Sequence, residues 1–438
     1  MQRLLERIEA LNPRLGAFYA LNDEARKAAQ AAERAIKERK PLGPLHGIPI
    51  SIKDLIATEG IRTTRGSAIF ADWVPNFSAP VVERAAAAGA IILGKTATAE
   101  FGWKGVTDAP LFGTTRNPWN LDLTPGGSSG GAAAAVAAGM GPLAVATDAA
   151  GSTRLPAAFC GVFGMKPSFG RIPVYPAPAA DTLVHVGLIS RTVADCALLL
   201  SVVAGPDERD RNSLPYEHAD YAKVNLRGVR VAWCASLSNL PMEPAVLQKC
   251  AAAVKKYQAA GLQVDEVTLE LPDIAEAFRT LYHGTFGAQL VDALPKWREK
   301  LDPGLVAMVE SGEKLTAYDL TKAGMARSAH YEALRKVFAR YDVLLLPVAG
   351  THAFPLGSNV PAIGGSPAGY PDWLGFLYPF NLSGQPAASI PCGWTDDRLP
   401  IGLQIVGRRF QDAAVLRVAA MLEEVLPWVQ HKPHNLNA

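Results

Sequence analysis

The stretch TPGGSSGGAAAAVAAG at positions 124–139 decides the fold of this 438-residue chain. Four glycines surround two serines, so the backbone there can turn sharply and approach a ligand closely. The alanine-rich run 132–138 follows at once and predicts a tightly packed helix. A glycine- and serine-rich surface loop is the ordinary alternative. Because the loop stands at the start of a buried helix, we interpret it as a functional loop.

The stretch ATDAAGSTR at 146–154 is the second decisive segment. It leaves a predicted strand over 143–147, and a turn at a strand end can aim several backbone N–H groups at one point, as an oxyanion hole requires. Ser152 would then sit beside such a site. Asp148 and Arg154 lie six residues apart across the turn, and we interpret them as a structural ion pair that braces it.

Lys53 is the available base for a serine nucleophile, since neither segment contains a histidine. It follows the predicted strand GIPISI at 47–52. Burial lowers the pKa of a lysine from about 10.4 toward the working range. A neutral lysine can accept a proton from a hydroxyl, and Ser-Lys variants of the triad are established chemistry. An ordinary ion-paired lysine is the alternative, and the residues alone leave both open.

The alternation of apolar runs with helical segments predicts an α/β fold, an α/β/α sandwich around a mixed, mostly parallel sheet. Residues 270–340 read as helical and are expected to form a lobe over the sheet. The apolar α/β pattern resumes on both sides of each loop-rich stretch. We therefore expect one domain over 1–438 that contains the helical insertion.

Composition limits the function classes. Hydrophobic residues make up 49% and charged residues 19%, which is typical of a globular protein and excludes a disordered or coiled-coil chain. The net charge is +2, so no basic excess favours nucleic acid, and a small or neutral partner is expected. The start of the chain lacks the pattern of a signal peptide, and no apolar run is long enough to span a membrane. These features predict a cytoplasmic protein.

No metal or nucleotide site is predicted. The five cysteines lie far apart and the eight histidines form no ligand pattern, so buried structural thiols are expected and a metal site is not. The stretch GAIILGKT at 89–96 fits the phosphate-binding pattern GxxxxGK[ST]. Its middle residues are aliphatic and read as a strand, whereas a phosphate cradle needs a flexible loop there. We therefore set the match aside.

These segments together resemble the amidase signature family, in the family's order and over most of the chain. Further shared pieces are LHGIPISIKD (45–54), GKTATAEFG (94–102), TRNPWN (115–120), DVLLLPV (342–348), NLSGQPAASIPCG (381–393) and LPIGLQIVG (399–407). The resemblance implies a signature core at about 45–200 within one amidase domain. It also implies a small amide substrate and no cofactor.

The resemblance further implies a triad of Lys53, Ser128 and Ser152, with a cis peptide before Ser128. Ser152 would be the nucleophile that forms an acyl-enzyme, and Ser128 would pass its proton to Lys53. The backbone N–H groups of the oxyanion hole would come from Ala149, Ala150 and Gly151. The family usually has glycine where this chain has Ala146 and Ala150. The methyl of Ala150 is expected to narrow the acyl pocket or redirect one N–H group.

The expected activity is hydrolysis of a carboxylic amide, small and apolar or aryl, by a stand-alone enzyme. One alternative is the glutaminase-type A subunit of a glutamyl-tRNA amidotransferase, although residues 171–190 are apolar and proline-rich rather than shaped for glutamine. A carbamate or ester hydrolase with the same triad is another. Homodimers are common in the family, but no residue indicates one here. Candidate substrate-binding residues are Phe101, Trp103, Gly126, Gly127 and Tyr175, for which core packing is an equal alternative.

Overall fold

The computed structural model describes residues 1–178, 182–215, 228–237, 240–369 and 372–436. Within these residues, the main sheet has eleven strands. Their bounds are β1 Phe18–Leu21, β2 Pro49–Lys53, β3 Ile91–Thr96, β4 Leu143–Asp148, β5 Phe163–Lys166, β6 His185–Ser190, β7 Val231–Trp233, β8 Val264–Glu266, β9 Val343–Pro347, β10 Ala387–Trp394 and β11 Pro400–Gly407. Two short antiparallel ribbons lie outside this sheet, Asp108–Ala109 with Gly113–Thr114 and Ala362–Ile363 with Ser366–Pro367.

The α-helices are distributed along the whole chain. Their bounds are α1 Gln2–Leu15, α2 Ala25–Lys37, α3 Pro80–Ala87, α4 Gly130–Ala137, α5 Arg154–Cys160, α6 Val193–Val203, α7 Pro244–Ala259, α8 Ala275–Leu290, α9 Leu294–Trp297, α10 Pro303–Glu313, α11 Ala317–Arg340, α12 Pro379–Leu382 and α13 Asp412–Val425. Within the described part of the chain, no helix is both long enough and apolar enough to cross a lipid bilayer.

The strand order across the sheet is β1-β3-β2-β4-β6-β5-β10-β11-β9-β7-β8. The predicted α/β class and mixed sheet are confirmed, but the predicted parallel majority is wrong. Among the described strands, four neighbouring pairs are parallel and six are antiparallel. The reason is that β6 inserts antiparallel between β4 and β5, and β10 and β11 form a hairpin. A short connection of this kind can only join antiparallel strands.

Helices cover both faces of the sheet. Along β4, Leu143 and Val145 face a core that includes apolar residues of α3, α6, α7 and α13. Ala144 and Ala146 face the opposite side, where they meet the alanines of α4. Small side chains on both sides of this second interface let α4 lie close to the sheet. The same close approach places the amino end of α4 beside the end of β2.

A group of helices spans residues 275–340, within the stretch where the sequence predicts helical structure. Helices α8, α10 and α11 pack together within it, and α8 and α10 cross closely. At the crossing, a Cβ added to Gly287 would lie 2.7 Å from the backbone of Gly312, so two glycines are needed there. Apolar residues of α8 and α10 share one core with Phe101 and Phe159 of the sandwich. This shared core brings one face of α8 over the signature loops.

Three smaller predictions concern local structure. The stretch 91–96 is strand β3, so the middle of the phosphate-loop pattern is extended, as expected. All five cysteines are buried and free. The predicted helix at 132–138 is α4, which begins slightly earlier, at Gly130.

Candidate active site

The Lys53 side chain ends inside a cluster of hydroxyl groups. It is the last residue of β2, fully buried, and points toward the amino end of α4. Its Nζ lies 2.7 Å from Ser128 Oγ, 2.8 Å from Ser129 Oγ and 2.9 Å from Thr147 Oγ1. Both serines belong to the glycine-rich loop, and Thr147 lies on the neighbouring strand β4. Three hydroxyls therefore surround one amine, and none of these contacts is an ion pair.

The hydrogen bonds suit a neutral amine. Burial lowers the pKa of Lys53 well below its ordinary value, against the weaker opposing attraction of Asp148. The Ser129 hydroxyl donates to the carbonyl oxygen of Thr147 at 3.2 Å, so its oxygen accepts from Lys53. A neutral amine donates two hydrogen bonds and accepts one. A neutral amine that donates to Ser129 and Thr147 has its lone pair left for the Ser128 hydroxyl.

The glycine-rich loop brings Ser128 to this amine. The Gly127–Ser128 peptide is cis, as the resemblance implied. A Cβ on Gly127 would lie 2.5 Å from the backbone of Val106, so no larger residue fits. The N–H of Ser129 donates to the carbonyl oxygen of Ser152 at 3.2 Å. This backbone bond joins the two signature segments and keeps their serines on the same side of the sheet.

The turn after β4 resolves the question raised by Ala150. Gly151 has φ +113°, a conformation that side-chain-bearing residues rarely adopt, and a Cβ there would lie 2.5 Å from Leu377. Ala150 lies outside the left-handed region. The turn therefore has a glycine, Gly151, at the position where it needs a positive φ. Alanine is accommodated at 150 without backbone strain.

A buried ion pair holds the same turn. Arg154 Nη2 lies 2.9 Å from Asp148 Oδ1 and Nε lies 3.0 Å from Oδ2, with both side chains fully buried. Burial alone would raise the pKa of Asp148, but the charge and hydrogen bonds of Arg154 hold it well below its usual range. Asp148 also accepts from the backbone N–H of Gly151 at 2.8 Å, and Arg154 donates to Gln404 at 2.6 Å. The predicted ion pair is present and ties the turn to β11.

A cavity of about 420 Å³ opens onto the two serines. Ser128 and Ser152 both line it, and Ser152 is 8% exposed. Most of its wall consists of aliphatic, aromatic and proline side chains, including Leu55, Phe101, Val174, Tyr175 and Phe286. Among the described lining residues, the one charged side chain is Arg65.

Similarity to known proteins identifies the family of this chain. A family model described as Amidase matches residues 1–416. The chain belongs to the amidase signature family. An acylamidase from Rhodococcus erythropolis is 39% identical over 446 residues, covering 99% of this chain and 92% of the relative. The A subunit of the glutamyl-tRNA(Gln) amidotransferase of Moorella thermoacetica is 36% identical over 461 residues, covering 98% and 93%.

A solved structure extends the agreement to three dimensions. A bacterial aryl acylamidase belonging to the amidase signature enzymes superposes with a TM-score of 0.90 at 30% identity, covering 98% of this chain and 93% of that chain. The present chain is accordingly a serine amidase, an enzyme that hydrolyses amides.

Two of the five candidate substrate-binding residues line the cavity of this amidase, namely Phe101 and Tyr175. The other three are not among its described lining residues. A Cβ on Gly126 would approach the backbone of Pro156, and Gly127 packs on Val106. Trp103 is buried in the core shared with the helical lobe, where Gly304 of α10 packs on it. The packing contacts of these residues are with the loops and with the helical lobe.

The oxyanion-hole assignment also changes in part. Ala149 lines the cavity beside Ser152, whereas Ala150 and Gly151 are not among its described lining residues. The N–H of Gly151 already donates to Asp148, so it is turned away from the cavity. Gly151 is therefore removed from the predicted donors, and its contribution is the positive φ of the turn.

Several residues of this amidase site were not predicted from the sequence. Ser129 and Thr147 contact Lys53, and both belong to the signature segments, where their hydroxyl groups were the available signal. Tyr282 and Phe286, one helical turn apart on α8, reach the cavity from the lobe. Arg65 offered no signal, because its place in the wall depends on how the loop after β2 folds back. The proline-rich stretch 171–190 supplies part of the wall, and its residues 179–181 lie outside the described ranges.

Proposed function

We propose that this chain is a stand-alone amidase in which Lys53, Ser128 and Ser152 act together on small apolar or aryl carboxylic amides. The observation that carries the proposal is the Lys53 amine, fully buried and 2.7 Å from Ser128 Oγ, below a cavity that both serines line. A buried lysine without an ion-pair contact among the described residues is costly to maintain, which favours a chemical role for it.

The proposed proton path uses the contact between Lys53 Nζ and Ser128 Oγ. Ser152 Oγ attacks the amide carbonyl carbon and its proton passes to Ser128, while Ser128 gives its own proton to the neutral Nζ of Lys53. The tetrahedral intermediate collapses as the C–N bond breaks. The proton on Lys53 then returns through Ser128 to the leaving amine. A water molecule then attacks the acyl carbon while its proton passes through Ser128 to Lys53. The bond between the acyl carbon and Ser152 Oγ breaks, the proton returns through Ser128 to Ser152 Oγ, and the carboxylate is released.

Developing negative charge on the carbonyl oxygen needs N–H donors that are free to point at it. The N–H groups of Ala149, Ala150 and Ser152 remain as donors once Gly151 is engaged with Asp148. The Asp148–Arg154 ion pair lies directly behind this turn and makes it rigid. Rigid donors need no reorganisation when the charge develops.

The cavity supports an apolar or aryl substrate. Its described wall is mainly aliphatic, aromatic and proline side chains, which favour groups that gain from leaving water. No acidic side chain lies among the described lining residues, so the ammonium group of a free amino-acid amide would have no partner there. We therefore expect anilides and apolar amides to react faster than glutamine or asparagine.

The test measures ammonia and arylamine release by the purified chain alone, over aliphatic, aryl and amino-acid amides. Ser152→Ala is the active-site variant, and Ser328→Ala, on the exposed face of α11, is a matched control. Release that disappears in Ser152→Ala and persists in Ser328→Ala supports the proposal. Release that survives Ser152→Ala would show that the nucleophile is wrong.

The alternatives give different results in the same panel. A clear preference for glutamine would favour the amidotransferase reading, which the 36% identical relative from Moorella thermoacetica exemplifies. Aryl esters and carbamates added to the panel test the remaining alternative. Faster release from those compounds than from every amide would assign the triad to ester or carbamate hydrolysis.

A further inference from the structure

Arg65 occupies an unusual position in the cavity wall. It lies in the loop after β2 and adopts φ 55°, a left-handed conformation for a non-glycine residue. Its guanidinium Cζ lies 4.6 Å from the ring centre of Phe70 and 5.3 Å from that of Trp73. The two aromatic rings therefore fix the orientation of a long side chain that would otherwise be mobile.

Arg65 differs from three largely buried cations of this protein that are held in ion pairs. Arg154 pairs with Asp148, Arg171 with Asp412, and Lys104 with Asp302. In contrast, Arg65 forms no ion pair within the described ranges, and its buried Nε donates to no acceptor there. Because arginine stays protonated, the cavity wall carries a positive charge with unused hydrogen-bonding capacity.

The backbone links Arg65 to the proposed catalytic serines. The N–H of Phe101 donates to the carbonyl oxygen of Arg65 at 2.8 Å. Phe101 is followed by Gly102, where a Cβ would lie 3.1 Å from Ser128 Oγ. Arg65, Phe101, Gly102 and Ser128 thus line one continuous part of the wall. A substrate seated on the serines would also lie along this part.

We infer that Arg65 is a specificity residue that binds a carboxylate on the substrate, at the end remote from the scissile amide. The planar guanidinium can hold a carboxylate through two parallel hydrogen bonds. This inference rests on the proposed function and narrows its substrate class to apolar or aryl amides that carry one carboxylate. The carboxylate belongs either to the acyl part or to the amine part of the substrate.

The experiment compares charged substrates with neutral partners of similar shape. On the amine side, 4-acetamidobenzoate is paired with 4-nitroacetanilide. On the acyl side, succinic monoanilide is paired with butyranilide. The ratio of kcat/KM within each pair is measured for the wild type, for Arg65→Gln and for Arg65→Lys. Comparing that ratio between enzymes cancels the intrinsic reactivity of the leaving groups.

Arg62→Gln is the matched control, because Arg62 carries the same charge three residues away, stacks on Phe112 and is not among the described lining residues of the cavity. In one substrate pair, Arg65→Gln is expected to lower the carboxylate preference by about 10- to 100-fold. Arg65→Lys should keep part of the carboxylate preference, because the positive charge remains while the two parallel N–H donors of the guanidinium are lost. Arg62→Gln should keep the wild-type ratio. The pair that responds identifies the side that carries the carboxylate.

Equal ratios in wild type and folded Arg65→Gln, in both pairs, would overturn the inference. A different result would contradict the proposed function: neither neutral anilide is hydrolysed, or their hydrolysis persists in Ser152→Ala. In that case calorimetric binding of benzoate and benzamide to the wild type and to Arg65→Gln decides the question without turnover. Tighter binding of benzoate that Arg65→Gln abolishes supports the inference, and equal binding of the two compounds overturns it.

Discussion

The Nζ of Lys53 lies 2.7 Å from the Oγ of Ser128, and both atoms are buried below the cavity. The two residues come from different layers of the fold, one from the end of strand β2 and the other from the loop before helix α4. Their contact depends on the close packing of the alanines of α4 against the sheet. The base and the proton relay of the proposed mechanism are therefore positioned by small side chains that perform no chemistry themselves.

Lys53→Ala is expected to lose more activity at neutral pH than Ser128→Ala. Loss of the lysine removes the proton acceptor, which is worth about 10²- to 10⁴-fold in general-base catalysis. Loss of Ser128 removes the relay but leaves the base in place. The measurement is kcat/KM for one anilide with both purified variants. Comparable losses, or a larger loss in Ser128→Ala, would contradict Lys53 as the main base.

The kcat/KM of the enzyme is expected to fall at acidic pH and not at alkaline pH. Lys53 must be neutral to accept a proton, and burial holds its pKa well below the ordinary value. Raising the pH through that pKa therefore raises kcat/KM, which then stays level at higher pH. A lysine with the ordinary pKa of about 10.4 would instead make kcat/KM rise until the pH reached that value. A pH profile of kcat/KM from about pH 5 to about pH 9 tests this. Activity that still climbs steeply at the alkaline end would indicate a lysine with an ordinary pKa.

Gly151→Ala and Ala150→Gly are expected to differ sharply although they are neighbours. The first forces a side chain into φ +113° and toward Leu377, so it should displace the turn and lower kcat/KM by about 10²-fold. The second only adds backbone freedom, at a cost of about 1 kcal/mol or less in the free energy of unfolding. Activity assays and thermal melts of both variants provide the comparison. Normal activity in Gly151→Ala would show that the turn tolerates rearrangement.

Arg154→Met is expected to destabilise the protein by about 3–5 kcal/mol, because it leaves the Asp148 carboxylate buried without its cation. Arg335→Met is the matched control, since Arg335 forms an exposed pair with Glu332 on α11. That control should leave the melting temperature almost unchanged. Denaturant unfolding of both variants gives the difference. A similar effect of the two substitutions would mean that the buried pair does not hold the turn.

Local patterns predicted most of the secondary structure near the site. Strand β2 ends at Lys53, helix α4 follows the glycine-rich loop, and the turn after β4 carries Ser152. Each of these three elements depends on glycine, alanine or β-branched residues that are close in sequence. Local propensity is therefore enough to predict them. The direction of β6 was not predictable in this way. Strand direction follows from how the chain returns to the sheet, which involves residues far apart in sequence.

The residue types of the site were readable in the chain itself: a lysine after an apolar strand, two serines among four glycines, and a serine after a glycine turn. Their resemblance to a known family supplied the order in which they act. Tertiary structure decided the rest. It turned the Gly151 N–H toward Asp148, removed Trp103 from the cavity wall and placed Arg65 within it. Chemical identity belongs to single residues, whereas orientation and burial arise only when distant segments pack together.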